Sequence, residues 1–218
     1  MTSSKPVSPQ IRWTVPDFRR VAATALHAQP LAPEQAATGP SDFDLNQDVA
    51  APLLATLRPA AVLVPVVARD TMSLLLTERT DHLPAHAGQI AFPGGKIDSG
   101  ETAHAAALRE AHEEIGLESR FIEPLGYLPP YRTGTGFLVT PLVALVQPGF
   151  TLTRNEAEVA DIFEVPLSHV LDPTNLRIDS RLWRGAERRY YAIPYQHRYI
   201  WGATAGIIKA LHRSFQNQ

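Results

Sequence analysis

The chain of 218 residues contains no cysteine, which excludes disulfide bonds, thiol nucleophiles and thiolate metal sites. Any metal must therefore be held by oxygen or imidazole ligands, which favours hard cations such as Mg²⁺ or Mn²⁺. The sequence also lacks an apolar run long enough to cross a bilayer. Its first residues lack the apolar core of a secretory signal. We therefore expect a cytoplasmic protein with no membrane partner.

An excess of charge of one sign is also absent. Twenty Lys and Arg residues face 22 Asp and Glu residues, which gives a net charge of −2. This balance gives no reason to expect nucleic-acid binding. The hydrophobic share of 44% is enough for a sizeable core, and the length suits one globular domain with extensions. We expect a small molecule as the partner.

The segment 94–117 carries an unusual concentration of acid, GGKIDSGETAHAAALREAHEEIGL. On an α-helix, Glu110, Glu113 and Glu114 occupy positions i, i+3 and i+4 and crowd one face within a single turn. Like charges at this spacing destabilise a helix. The pattern therefore predicts a cation between these carboxylates, on a helix face that is exposed to solvent.

The same segment contains signals for the ends of this helix. Ser99 or Asp98 is predicted to cap its start, and Gly116 to end it. Glu101 favours the first turn through the helix dipole. It lies about half a turn around from Glu110, so we interpret it as a helix-start residue rather than a direct metal ligand. The other face carries an apolar stripe for packing against a core, formed by Leu108, Ala111 and Ile115.

These residues follow the spacing G-x5-E-x7-R-E-x-x-E-E-x-G, which is that of the Nudix box. The fixed positions are Gly95, Glu101, Arg109, Glu110, Glu113, Glu114 and Gly116. The sequence resembles the Nudix hydrolases without a departure at any of them. The resemblance implies an α/β fold, the Nudix α/β/α sandwich with a mixed sheet flanked by helices. It also divides the chain into an N-terminal arm, residues 1–58 and partly helical, and a Nudix hydrolase domain, residues 59–216.

The resemblance implies roles for the acidic residues. Glu110 and Glu114 are expected to be the principal metal ligands, and Glu113 to complete a second metal site or position a water. Arg109 is expected to hold a carboxylate in register, with an ordinary surface ion pair as the alternative. The general base is left open between Glu113 and Glu158. An exposed strand-edge carboxylate is the alternative for Glu158.

Runs of apolar and β-branched residues predict the strands of the sheet. The predicted strands are 60–68, 73–78, 89–92, 125–131, 137–146 and 158–165, whereas 182–191 and 195–201 are read as strand or loop. Helices are predicted at 17–27 and 204–215 from their 3.6-residue periodicity.

The resemblance to the Nudix hydrolases implies cleavage of a diphosphate bond, and the segment 74–98 bears on which diphosphate is the substrate. LLLTERTDHLPAHAGQIAFPGGKID resembles the extended signature of the coenzyme A diphosphatases, a subgroup of the Nudix hydrolases. The resemblance implies hydrolysis of coenzyme A to 3′,5′-ADP and 4′-phosphopantetheine. The residues expected to bind substrate are Arg79, His86, Gly94, Gly95, Lys96 and Arg132. Cationic members of this set suit the 3′-phosphate, while Phe92 and Tyr131 are either walls of a pantetheine channel or core aromatics.

Two other functions are compatible with the same residues. One is hydrolysis of a different diphosphate, such as ADP-ribose, a nucleotide sugar or a damaged nucleoside triphosphate. The other is a non-catalytic nucleotide-binding module, against which the complete set of carboxylates argues. The resemblance is also compatible with a homodimer.

Overall fold

The computed structural model describes residues 13–81, 88–183 and 185–216, and within these ranges the chain forms two β-sheets and four α-helices. The helices are α1 (Val15–Ala25), α2 (Ala103–Ile115), α3 (Leu167–Val170) and α4 (Ala203–Gln216). The strands are β1 (Arg58–Val67), β2 (Ser73–Arg79), β3 (Ile90–Ala91), β4 (Gly94–Lys96), β5 (Ile122–Tyr127), β6 (Tyr131–Arg132), β7 (Phe137–Val146), β8 (Val159–Pro166), β9 (Arg177–Trp183), β10 (Ala186–Tyr195) and β11 (Arg198–Trp201).

The main sheet is mixed and is built around β1. This strand runs parallel to β7 over its whole length, from the pair Arg58 and Phe137 to the pair Val67 and Val146. It pairs antiparallel with β2 and β4, while β2 also pairs with β3 and β8, and β7 with β5 and β6. An apolar ten-residue strand at the centre explains why RPAAVLVPVV is nearly continuously buried.

The two faces of this sheet are covered by different helices. Ala61 and Leu63 of β1 pack with the helix α2, whereas Val64 and Val66 pack in a second cluster with α1 and α4. Alternation of side chains along a strand produces this division. The predicted α/β fold, with a mixed sheet flanked by helices, is confirmed.

The second sheet contains three antiparallel strands in the order β11-β10-β9. The sequence left 182–191 and 195–201 as strand or loop, and the structure shows β10 and β11 there, whereas β9 begins at Arg177 in a segment that was not predicted as a strand. The side-chain amide of Asn46 bonds both the N–H and the C=O of Arg189 in β10, each at 2.9 Å. Asn46 therefore continues the ladder on the β11 side of β10, at a position beyond the end of β11.

The N-terminal segment packs on the main sheet. Phe18 of α1 is fully buried, and His27 exchanges two backbone hydrogen bonds with Tyr127 at the end of β5, at 2.8 and 2.9 Å. Further on, the Asp42 carboxylate accepts a hydrogen bond of 2.8 Å from the Tyr131 hydroxyl. These contacts fix residues 13–46 to the sheet, and the domain division at residue 58 stays a prediction.

Two strand predictions differ from the structure. The predicted strand 125–131 begins earlier, at Ile122, and is interrupted before Tyr131, because Pro129 and Pro130 cannot donate to a ladder. The predicted strand 158–165 begins at Val159. In the described ranges, no helix is both long enough and apolar enough to cross a membrane.

Candidate active site

The loop before α2 lies directly on the central strand. Gly94 and Gly95 form part of β4 and pair with Val62 and Ala61 of β1. A Cβ atom on Gly94 would lie 2.4 Å from the Ala61 carbonyl oxygen. Only glycine allows this approach of the two backbones. The glycine pair therefore fixes where the chain enters the loop.

The start of α2 corrects the predicted cap, and its end confirms the predicted one. Thr102, and not Ser99 or Asp98, is the N-cap, because its hydroxyl accepts a hydrogen bond of 3.1 Å from the Ala105 amide. Gly116 ends the helix in the left-handed conformation at φ 67°. The helix therefore begins at Ala103, and its last turn carries the acidic residues.

Glu110 lies against Gly95. A Cβ atom added to Gly95 would lie 2.3 Å from the Glu110 Oε1 atom, so the missing side chain of Gly95 is the space that holds this carboxylate. Burial raises the pKa of Glu110, and the charges of Glu113 and Glu158 raise it further, against the lowering effect of Arg109. Glu110 is therefore a half-buried acid on α2 that packs against Gly95.

Glu114 is buried, with only 4% of its surface exposed, so the expectation that it lies on an exposed helix face is wrong. One carboxylate oxygen accepts a hydrogen bond of 3.2 Å from the Gly94 amide, and the other lies 3.6 Å from the Arg79 guanidinium. Burial raises the pKa of Glu114 to about 7, helped by the charges of Glu110 and Glu158 and opposed by Gly94 and Arg79. The site thus contains a second, deeper acid.

Arg109 connects the loop to the acids on α2. Its guanidinium donates two hydrogen bonds to Glu101, at 2.9 and 3.0 Å, and one each to Glu110 at 2.9 Å and Glu113 at 3.0 Å. A further bond of 3.2 Å reaches the Lys96 carbonyl. The bonds to Glu101 are the main cause of a raised Arg109 pKa. Contacts with three carboxylates and a carbonyl exceed those of an ordinary surface ion pair.

The two predicted general bases differ in their surroundings. The Glu113 side chain is 54% exposed and is bound by Arg109. Glu158 precedes β8 rather than lying on it, and its carbonyl accepts a hydrogen bond of 3.0 Å from the Thr80 amide. The charge of Glu158 acts on both Glu110 and Glu114. Both therefore act on the acid pair, Glu113 on Glu110 from the same helix and Glu158 on both acids from the segment before β8.

The predicted substrate-binding residues are only partly brought together. Arg79, at the end of β2, adjoins the acids through Glu114. Alternation places the exposed Lys96 side chain on the opposite face of the sheet from Gly95. Arg132 lies on β6, which β7 and β1 separate from β4, and its Nε atom is buried without a hydrogen-bond partner in the described ranges. His86 lies outside the described residues.

The two aromatic residues considered as channel walls are core residues. Phe92 and Tyr131 are 4% and 2% exposed and belong to the cluster that packs against α1 and α4. Sequence reasoning did not find the Arg79–Glu114 contact, because the two residues are far apart in the chain and each is an ordinary charged residue in its own segment. Thr102 could have been found as a capping residue that directly precedes the alanine-rich run.

The donor set fits a hard divalent cation. Glu110 and Glu114 offer carboxylate oxygens; burial raises the pKa of both, and the charge of Glu158 raises both further. In the described part of the chain, no three His, Asp or Glu side chains form a ready-made coordination sphere. Arg109 and the Gly94 amide already bond carboxylate oxygens there. Oxygen ligands of this kind suit Mg²⁺ or Mn²⁺.

Comparison with known proteins gives one family. Residues 57–184, more than half of the chain, match the model described as NUDIX domain. Uncharacterized Nudix hydrolase NudL of Enterobacter sp. (strain 638) is 46% identical over 155 residues, which cover 71% of this chain and 81% of the relative. The protein of the same name from Photorhabdus laumondii is 45% identical over 160 residues, 73% of this chain and 86% of the relative.

The chain also aligns with solved structures, at lower sequence identity. The NUDIX domain of Shewanella oneidensis NrtR, solved in complex with ADP ribose, aligns with a TM-score of 0.46 at 16% identity. The alignment covers 86% of this chain and all of that domain.

Gly95→Ala should displace the Glu110 carboxylate. The new Cβ would overlap the end of a flexible side chain, so the protein should stay folded while metal-dependent activity falls by about tenfold or more. Metal titration, thermal denaturation and turnover measure these effects. Gly134→Ala is the control, because its Cβ would meet nothing closer than 3.5 Å. Unchanged metal affinity and turnover in Gly95→Ala would contradict the assigned place of Glu110.

The metal-free protein should lose stability as the pH rises from 4.5 to about 7. Glu114 has a pKa of about 7 in the folded chain against an ordinary value of 4.5, so the folded state binds the proton more tightly than the unfolded state in this interval. Urea denaturation in the presence of a chelator at about pH 5 and about pH 8 measures the change. The Glu114→Gln variant should lack the part of this stability loss that is due to Glu114. An identical pH dependence in that variant would show that Glu114 is not its source.

Proposed function

Because the chain belongs to the Nudix hydrolase family, whose members act on phosphorus-containing anhydrides, we propose that it hydrolyses the diphosphate bond of coenzyme A with Mg²⁺ or Mn²⁺. The products are 3′,5′-ADP and 4′-phosphopantetheine, and acylated coenzyme A is a further substrate. The observation that carries the proposal is the pair of carboxylates, half-buried Glu110 and buried Glu114, held against Gly95 and Gly94.

Electrostatics explains why this pair suits diphosphate chemistry. The negative oxygens of a diphosphate repel an incoming nucleophile, and the carboxylates repel the diphosphate. A bound divalent cation neutralises phosphate charge and makes water more acidic. Glu110 and Glu114 would hold that cation, with Glu113 as an additional oxygen donor at the exposed side. The carboxylates outnumber Arg79 and Arg109 beside them, so a site without a cation would repel the substrate.

The chain's own residues supply orientation. Arg109 fixes Glu110 and Glu113 relative to the Lys96 carbonyl, so the helix and the loop move as one unit. The Gly94 amide fixes the deeper acid, Glu114. Groups whose positions are set before the substrate arrives need no rearrangement during the reaction.

We assign the general base to Glu158. Glu113 shares its carboxylate with Arg109 and is mostly exposed, whereas the charge of Glu158 acts on both buried acids. In this role a Glu158 oxygen accepts the proton of the attacking water as the water oxygen bonds to one phosphorus, while the bridging P–O bond breaks and the other phosphate leaves. Glu113 is the second candidate for the base.

The choice of coenzyme A depends on the segment 74–98 and its resemblance to the coenzyme A diphosphatases. Arg79 belongs to that signature and lies beside Glu114, which supports a contact between its guanidinium and a substrate phosphate. Lys96 lies on the opposite sheet face and Arg132 lies two strands away, so we propose no phosphate contact for either. Gly94 and Gly95 contribute by holding Glu114 and Glu110.

The substrate is tested by turnover on a panel of diphosphates with identification of the products. Coenzyme A should have the highest kcat/KM with Mg²⁺ or Mn²⁺, above ADP-ribose, a nucleotide sugar and an oxidised nucleoside triphosphate. A higher kcat/KM for one of the other compounds would make that compound the substrate, and the protein would still be a diphosphatase. Binding without turnover of any of them would mean a non-catalytic module.

Glu114→Gln should remove most activity without unfolding the protein. The amide keeps the size of the side chain and its acceptor for the Gly94 amide but removes the charge of a metal ligand. We expect kcat/KM to fall by roughly a hundredfold, about 2.7 kcal/mol of transition-state stabilisation. Turnover and thermal denaturation measure the two properties, with Glu118→Gln, an exposed acid outside the cluster, as the control. Full activity in Glu114→Gln would exclude the metal-ligand role.

Glu158→Gln and Glu113→Gln separate the two candidate bases. Loss of the base should lower kcat at saturating metal and remove the acidic limb of the pH–rate profile. We expect both effects in Glu158→Gln, whereas Glu113→Gln should mainly weaken metal binding. The reverse assignment of effects between the two variants would make Glu113 the base.

A further inference from the structure

The second sheet has an open edge at β9. This strand pairs with β10 on one side, and within the described ranges no strand pairs with its other side. Two apolar side chains on it face solvent, Ile178 at 55% and Leu182 at 78% exposure. Exposed edges with apolar residues are sites where strands from other chains can add.

The direction of the free backbone groups follows from the β10 pairing. Arg189 uses its N–H and C=O for Asn46, so it makes no ladder bonds to Ser180, its partner in β9. In an antiparallel pair such non-bonded positions alternate with bonded ones. The N–H and C=O groups of Ile178, Ser180 and Leu182 therefore point outward, away from β10.

The sequence of β9, RIDSRLW, is complementary to itself about Ser180. In an antiparallel pairing of two copies centred on Ser180, Ile178 of one lies opposite Leu182 of the other. Asp179 of one lies opposite Arg181 of the other. Apolar and oppositely charged cross-strand pairs both stabilise a sheet. In the same register, the outward N–H and C=O groups of residues 178, 180 and 182 in one copy face those of the other copy. They occur at every second residue, as ladder hydrogen bonds require.

The charged residues on this edge are held in place. The Tyr199 hydroxyl donates a hydrogen bond to the Asp179 carboxylate, and the Arg181 guanidinium lies 4.3 Å from the centroid of the Trp201 ring. Both contacts lie on the face opposite Ile178 and Leu182, because side chains alternate along the strand. Asp179 and Arg181 therefore lie at the open edge on one face of the sheet, and Ile178 and Leu182 lie on the other face.

We propose that β9 pairs with β9 of a second copy of this chain, through a two-fold axis at Ser180, and joins two three-stranded sheets into one. The occupant is a second copy, because this self-pairing matches Asp179 with Arg181 and Ile178 with Leu182. Unmatched charges or a proline protect an edge against pairing, whereas β9 has no proline and its Asp179 and Arg181 are matched in this register. A two-fold pairing also closes, so it gives a dimer and not a fibre.

Ser180→Pro tests the pairing at its centre. Ser180 makes no ladder bond to β10, so proline removes the outward N–H needed by the second copy and leaves the hairpin bonds. Ser180→Ala is the matched control, because both variants lose the hydroxyl that donates to Glu187 but alanine keeps the N–H. Sedimentation equilibrium should show a dimer for the wild type and Ser180→Ala, and a dissociation constant raised about tenfold or more for Ser180→Pro. Diphosphatase activity reports folding.

Charge exchange tests the register independently. Arg181→Asp should weaken the dimer by placing Asp179 opposite a new acid, and the double variant Asp179→Arg/Arg181→Asp should restore it. A monomeric wild type, or dimerisation of Ser180→Pro at the wild-type constant, would overturn the proposal. A folded double variant that does not recover dimerisation would also overturn the proposal, because the register predicts that recovery.

Discussion

The repulsion among carboxylates at the end of α2 is the constraint around which the rest of the site is arranged. The acids are held in place by the glycine pair and by Arg109. Glu110 occupies the space that Gly95 leaves empty, Glu114 is bonded by the Gly94 amide, and Arg109 ties the helix to the loop. Without these contacts the acids would destabilise the last turns of α2. With them, the chain keeps negative charge in a partly buried place, and that charge is available to a cation.

The central strand β1 makes this arrangement rigid. It pairs with β4, which carries the glycines, and with β7 along its whole length, while one of its faces supports α2. The acids therefore face a backbone that is itself fixed on both sides. A site built on regular elements is positioned more accurately than one built on loops alone. The contacts of α1 and residues 27–42 with β5 and β6 extend the same support to the far side of the sheet.

Much of this could be predicted from local sequence. The acid spacing, the glycine end of α2, the central strand and the C-terminal helix depend on patterns within a few residues, and the structure bears these out. The burial of Glu114 could not be read in this way. Its environment is made by Arg79 and Gly94, which other segments bring to it. In the second sheet, β10 and β11 were ambiguous and most of β9 was missed, because charged and aromatic residues alternate there without a clear apolar face. The interruption after Tyr127 follows from two prolines and was open to prediction.

The parallel pairing of β1 and β7 has a consequence for how the chain is made. It pairs Arg58 with Phe137 and continues in register to Val67 and Val146, so the apolar strand β1 leaves the ribosome long before its neighbour on that side. Until then the β7 edge of β1 is unpaired, although β2 and β4 can already pair with its other edge. Contacts between distant segments form slowly and leave apolar strands open to aggregation. Nascent chains halted before β7 should therefore depend on chaperones more than the finished protein does.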